Sequence, residues 1–563
     1  MTRSAVLSVF PIVGLALMVV AGPACSSNSA ANSQGSAGNG AAGHGTGGAG
    51  GTTGAGGAGG IATGGGSGGT CPIYQAMCGG TCMPVANDPN NCGSCGNKCA
   101  AGQVCIGGGC SGSCLPGAGQ TACAGQCVDT GSDNNNCGSC GHVCGANQGC
   151  VGGGCVAARV FPPPATCTGG GPSPTVGAGS TAKCAGLIAQ TSFTWSVCSC
   201  QNITFDADAL VDGWNSTMGG YKPHQLGGGM GANMSISSMS LADIYGQSWA
   251  AASSTAFNVS AFNVYDDIRS GGNISGDQVA AARDAYVVGN ISGQMTVGGT
   301  LYQTPGKAHP GLTAVQQTVT VPPPCNCTSP IPVVDLVAWA KTNNNDAAIG
   351  LDPAIMTQAG HPSRIDLPCG VYYMNGFSSG GSIVAHGNVA LFIDGSVTSS
   401  GDLVLTVADP TSAIDIFVSG TIVATSSFSL GNPSYPALTR LYIGGTQTLN
   451  VQSMLIIGAE IWAGNATVLW ESDTDAFGSI FAGDLQVVST FNLHYDQGVI
   501  HAGNRCPGGE GGGTGGTGGG GCATCEECGN QACHNGMCGM CTTSDECCAP
   551  LVCNGGTCSA RIP

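Results

Sequence analysis

The chain has 563 residues and a net charge of −17, from thirteen Lys and Arg against thirty Asp and Glu, with no basic cluster. That balance excludes electrostatic binding to nucleic acid. Only 8% of residues are charged, so Ser, Thr, Asn and the 99 glycines must make the surface polar, as in a wall or stalk protein rather than a cytosolic enzyme.

The first elements are a leader and a tether. Met1-Thr2-Arg3 supplies one positive charge, and Ala5 to Gly22 is an apolar run interrupted only by Ser8, which reads as a secretory signal over 1–24. Gly22-Pro23-Ala24-Cys25 resembles the lipobox of bacterial lipoproteins, and that resemblance implies an acylated Cys25 as the new N-terminus. Plain cleavage after Ala24 is the alternative, and either route exports the chain. Beyond the leader no apolar run reaches about 18 residues, so no second bilayer span is expected. Residues 25–70 are dominated by Gly, Ala, Ser and Thr, cannot bury a core, and are expected to form a tether with a reach of roughly 35–40 Å.

Two cysteine-rich repeats follow. Cys71, Cys78, Cys82, Cys92, Cys95, Cys99, Cys105 and Cys110 are spaced 7, 4, 10, 3, 4, 6 and 5 apart. Cys114, Cys123, Cys127, Cys137, Cys140, Cys144, Cys150 and Cys155 are spaced 9, 4, 10, 3, 4, 6 and 5 apart. Tandem modules over 71–110 and 114–155 result, each too small for a large core, so an even cysteine count in an oxidising compartment predicts disulfide staples. Zinc is the rival, but it is poorly served: the only histidine in either copy, His142, is matched by Asn97. Thiol exchange lacks a thioredoxin-like pattern around the pairs. Asp88 with Asn90-Asn91, and Asp133 with Asn135-Asn136, are candidate calcium ligands whose simpler role is to form Asx turns before a bridge. This "DxNNCGSCGxxC" signature resembles the cysteine-rich repeats of surface lipoproteins of Gram-negative soil bacteria of the myxobacterial type, which implies a location more than an activity.

A Pro/Gly-rich connection over 156–191 leads to a large domain at 192–506. Its second half is a series of short β-branched or aromatic runs broken by glycine, such as "NVALFIDGSV" and "AIDIFVSGTIV", which predicts strands. Gly395, Gly420, Gly445, Gly464 and Gly483 recur at steps of 25, 25, 19 and 19, which suggests one coil of a single-stranded parallel β-solenoid (β-helix) per unit; a β-sandwich is the competing arrangement. The helical exception is "VVDLVAWA", where Val333, Leu336, Val337 and Ala340 share one face. A Gly-rich spacer covers 507–521. The tail, 522–563, holds Cys522, Cys525, Cys528, Cys533, Cys538, Cys541, Cys547, Cys548, Cys553 and Cys558 and resembles a knottin-like framework, whose pairing spacing alone does not give.

Candidate chemistry in the large domain is sparse. Asp266-Asp267, Asp473 with Asp475, and His494 with Asp496 are the close groupings, and few cations stand near them. A catalytic β-helix needs several converging acids with Arg or Lys, so turn and structural roles are favoured. Trp462 and Trp470 are candidates for stacking on a sugar ring, against an ordinary packing role. "ALVDGWNSTMGGY" (209–221) and "ATVLWESDTDAFGSIFAGDLQVVSTFNLHYDQGV" (466–499) resemble the opening and closing signatures of an uncharacterised β-helical domain of bacterial surface proteins and of pilus-assembly proteins like the pilus component PilX. The expectation is therefore an all-β β-solenoid flanked by disulfide-rich modules and Gly-rich disordered linkers, in a non-enzymatic lipoprotein at the outer membrane or cell surface of a Gram-negative bacterium. It would act in adhesion or envelope architecture, with no cofactor or metal, a membrane partner through its lipid, and a polysaccharide or surface protein as ligand. The alternative is a secreted carbohydrate-binding or polysaccharide-degrading β-helix protein.

Overall fold

The computed structural model describes residues 75–506 except 79–80, 86–87, 107–108, 115–119, 217–219, 379, 425, 453 and 474, together with short pieces between 532 and 559. All of these belong to the compact unit Gly60–Pro563. The leader, Cys25, the tether, Cys71, the 507–521 spacer, Cys522, Cys525, Cys528 and Cys548 lie outside the described residues. Strands dominate, and no described helix is long and apolar enough to cross a membrane.

The large domain is a parallel sheet in which most strands of the first half pair with a strand two or three further along the chain. In its first half Val197–Ser199 pairs in parallel with Met230–Ala232, which pairs with Ser248–Ala250, and the ladder continues through Ile268–Ser270, Ala285–Val287, Leu301–Gln303 and Ala314–Gln316. A second ladder runs through Ile203–Phe205, Ile236–Ile244, Thr255–Val264, Asn273–Ala281 and Ile291–Val297. Its register aligns Ile203, Ile236, Phe257, Ile274 and Ile291 in one buried column. Each such side chain contributes about 1.5–3 kcal/mol by leaving water, which is why an apolar residue recurs at this place in every strand. Because these pairs are parallel, the antiparallel β-sandwich reading is not met.

The second half is built the same way, from Arg364–Met374 through Gly381–Ile393, Ala413–Val418 and Thr439–Ile443 to Met454–Trp470 and Ala476–Val487. The glycine steps seen in the sequence follow the register: Gly420 N–H donates to Gly395 O, and Gly445 N–H to Gly420 O. A Cβ at Gly445 would meet the Gly420 carbonyl oxygen at 2.6 Å, so the turn between strands closes only without a side chain.

Stack order and chain order differ. Ala476–Val487, near the end of the domain, pairs with Val197–Ser199 and Ile203–Phe205 at its start, and Phe491–Asp496 pairs with Ala209–Trp214. One interior column therefore passes Leu391, Ile416, Leu441, Ile461, Ile480, Val197 and Met230 without a break. The first half grows away from this seam, and the second half grows back toward it.

The segment between the halves returns along the outside. Gln317 N–H donates to Gln303 O beside the last strands, and Cys325 and Cys327 are bridged to Cys198 and Cys200 in the first. Five inter-strand steps of about 4.8 Å need about 24 Å, close to the roughly 26 Å that eight extended residues supply. The proline-rich strap is thus drawn out straight, with Pro324 packed over Gly231. The expected helix forms as α1 (Val333–Ala340), burying Val333, Leu336, Val337 and Ala340 and setting Trp339 edge-on to Phe392.

The 156–191 connection is structured. Gly154–Val160 extends the parallel sheet beside Arg364–Met374, Ala185–Ser192 is helical, and Cys167–Cys369 and Cys184–Cys506 tie this stretch to distant strands. Proline and glycine here shape a close-fitting path, and composition alone does not distinguish that from flexibility.

Within the repeats the cysteines pair in one pattern. Cys78–Cys95, Cys92–Cys105 and Cys99–Cys110 in the first copy match Cys123–Cys140, Cys137–Cys150 and Cys144–Cys155 in the second; Cys114–Cys127 is a further bridge of the second copy, and its counterpart in the first, Cys71 with Cys82, falls outside the described side chains. Cys82 lies in the strand Thr81–Pro84. In the tail Cys541 is bridged to Cys553, Cys533 faces Cys538 across one hairpin and Cys553 faces Cys558 across another; Cys547 is also disulfide-bonded.

Candidate functional site

Of the acids and histidines singled out in the sequence, His494 and Asp496 lie at the seam. The register of Phe491–Asp496 on Ala209–Trp214 puts His494 opposite Asp212 and Asp496 opposite Trp214. Val211 and Leu493 enter the core, so Asp212 and His494 point to the other face of the sheet. There His494 Nδ1 lies 2.7 Å from Asp212 Oδ1, while Asp212 Oδ2 accepts hydrogen bonds from the Tyr221 hydroxyl at 2.8 Å and the His224 N–H at 2.7 Å. Burial, and then the charge of Asp212, push the Tyr221 hydroxyl well above its ordinary range, so it stays a donor. Asp496 accepts from the Ser216 N–H and hydroxyl and caps the helical turn Gln497–Arg505 through the Gly498 N–H.

This cluster is closed over. Trp214, Phe477 and the partly buried Tyr221 form one apolar group with Val104 of the first cysteine repeat and with Cys114 and Cys127 of the second. Arg364 fixes the second repeat further along, with its Nη1 donating to the carbonyls of Ser132 and Cys150 and its Nε to Asp366. The Gln120 amide donates to Asn432 and Ser434. His494 and Asp212 therefore form a buried hydrogen-bonded pair, and no Ser, Thr or Cys side chain bonds the imidazole among the described residues.

The other sequence candidates are dispersed. Asp473 accepts from the Thr490 N–H in an exposed turn, and Asp475 from the Asn492 amide. Asp266, buried, faces Arg283 at 3.6 Å, and Asp267 accepts from the Asp284 N–H. Trp462 and Trp470 are 3% and 0% exposed, which removes them as sugar platforms: Trp462 stacks on Phe481, and Trp470 stands edge-on to Phe491 with its indole N–H on Ser472 O.

In the repeats Asp88 accepts from the Asn90 N–H and the Asn91 amide, and Asp133 accepts from Asn135 and Asn136 in the same way, so these carboxylates are used as Asx turns. The sulfurs of Cys92, Cys99 and Cys110, and of Cys137, Cys144 and Cys155, lie within 4.8 Å of one another. Two bridges packed side by side produce that closeness, and a sulfur committed to a disulfide is not the thiolate that zinc needs.

Sequence reasoning missed a second buried set. Arg440 and Asp415, each 1% exposed, make a two-pronged ion pair at 2.6 Å, with the Tyr442 hydroxyl beside it. Next in register comes Glu460, which accepts from the Ser479 hydroxyl and whose carboxyl burial pushes up to about 8. The only sequence sign was one charged residue inside each of several apolar runs, at equal register.

The outer face of the first half holds an open groove of about 580 Å³ lined by Ser237, Asn258, Ser275, Ser292 and Asp277. Four of these, Ser237, Asn258, Ser275 and Ser292, stand in a single register column.

Fold and site together define a strand-rich, disulfide-rich protein with a parallel sheet and a closed polar seam. Residues 328–500 match a domain of unknown function, DUF7305, and residues 62–113 match the stigma-specific STIG1-like protein family. No curated protein and no solved structure matches the chain.

Proposed function

We propose that this chain is a non-enzymatic, exported surface lipoprotein, anchored through an acylated Cys25 in the outer membrane or at the cell surface, whose large domain is a β-solenoid scaffold for adhesion or envelope architecture. The solenoid reading draws on strand pairing two elements apart at near-constant steps. One observation carries the non-enzymatic reading: His494, Asp212 and Asp496 are consumed by internal hydrogen bonds under a cysteine-repeat cover, while Asp473 and Asp475 serve turns. The lipid and the surface location rest on the leader sequence. Fractionation of cells expressing wild type and Cys25→Ala tests the anchor: wild type is expected with membranes and the variant in the soluble fraction or unprocessed. Wild type recovered soluble with an unmodified N-terminus contradicts it.

A second reading, polysaccharide binding without cleavage, is favoured by the hydroxyl- and amide-lined groove. A glycan array with wild type and Asn258→Ala decides between the two: binding lost in the variant supports a glycan ligand, and no binding leaves the scaffold.

A further inference from the structure

The large domain is a loop closed at its neck. Cys184 immediately precedes the helix Ala185–Ser192, and Cys506 immediately follows the helical turn Gln497–Arg505; the two are bridged across 322 residues. The entry and exit segments are also held together without covalent help. Gly503 N–H donates to Gln190 Oε1, Ser173 N–H to Arg505 O, and a Cβ at Gly186 would lie 2.4 Å from the Ala502 oxygen. A second bridge, Cys167–Cys369, spans 202 residues and interlocks with the first, its ends alternating with those of Cys184–Cys506 along the chain.

We propose that these interlocked bridges take the large domain off the load path. Tension between the repeat side and the C-terminal side of the chain passes from Cys184 through its sulfur to Cys506, and the strands of residues 185–505 cannot be drawn out. If the neck bridge is absent, Cys167–Cys369 becomes the next shortcut and still shields the stretch between its ends. Such a wiring suits a module presented on a tether against shear, because the β-scaffold keeps its fold while the chain on either side of it extends. The inference rests on the bridge positions alone. It stands or falls independently of the lipid and of any ligand.

Single-molecule pulling of the mature full-length chain, held by handles at its two ends, tests this. The oxidised wild type is expected to show no length release attributable to 185–505. Cys184→Ser/Cys506→Ser is expected to add roughly 120 residues of extensible chain, on the order of 400 Å at about 3.5 Å per residue. Wild type folded oxidised and then exposed under load to a dithiol reductant guards against misfolding of the variant. Each bridge then yields two thiols while the reductant closes its own disulfide, and the accessible length is expected to rise by up to the 322 residues of the loop, on the order of 1,100 Å. Release of several hundred residues from the oxidised wild type overturns the proposal, as does an unchanged length after reduction.

Discussion

The two halves of the stack share one interior and differ on the outside. In the first half Ile236–Ile244 alternates buried with partly or fully exposed positions, Met239 is 72% exposed, and Ser, Asn and Thr face solvent. In the second half Ala413–Val418 is buried at every position, with the helix Val333–Ala340 packed against it. A strand covered on one face reads as an alternation, and a strand covered on both reads as a continuous apolar run. The lesson is that the apolar columns along the parallel sheet set the fold in both halves, while the outer residues decide whether a face becomes a second core or an exposed surface. The match to the domain of unknown function spans 328–500 and so falls on the doubly covered half.

The sharpest way to break this contrast is a charge deletion on each side. Asp415→Ala leaves Arg440 buried without its partner and is expected to cost about 3–5 kcal/mol in chemical denaturation. Asp243→Ala, on the exposed face, is expected to cost less than about 0.5 kcal/mol. Equal costs would remove the distinction between the halves.

A pH series sharpens it. Burial keeps the Glu460 carboxyl protonated up to about 8 in the folded chain, against an ordinary value of 4.5. The folded state binds the extra proton between those values. Its contribution is fully present below 4.5 and is lost as pH rises toward 8, at about 1.4 kcal/mol per pH unit. Glu460→Gln is expected to flatten that decline and to be the more stable chain above pH 8; parallel curves for the two proteins would contradict the assignment.

Smaller effects are expected at the seam and beside it. Asp496→Ala frees the Ser216 and Gly498 donors and is expected to lower stability by about 2–3 kcal/mol. Asp473→Ala loses one exposed turn contact and is expected to change stability by less than about 0.5 kcal/mol. Denaturation midpoints that fail to separate these two carboxylates would show that the seam is not a closed core.

Much of this was legible in the sequence. The repeat spacing gave the modules, the periodic glycines gave the step between strands, and four apolar positions gave the helix at 333–340. The stack order was not legible, because a parallel register between residues 209–214 and 491–496 leaves no local pattern in either segment. For the same reason His494 and Asp496 were visible as a pair on one strand, while the carboxylate that His494 meets, Asp212, lies 282 residues away. Trp462 and Trp470 looked available for a sugar because nothing in their own strand announces the ring or chain packed over them. The middle cysteines were even in number, but eight of them admit about a hundred pairings.

Those middle cysteines supply the most direct test of the seam. Non-reducing peptide mapping of the purified chain should recover Cys184–Cys506, which requires the end of the domain to lie beside its start, Cys198–Cys325 and Cys200–Cys327, which require the strap to return to the first strands, and Cys167–Cys369. Recovery instead of neighbours in sequence, such as Cys198 with Cys200, Cys325 with Cys327 or Cys167 with Cys184, would contradict the stack order on which the closed seam and the scaffold depend.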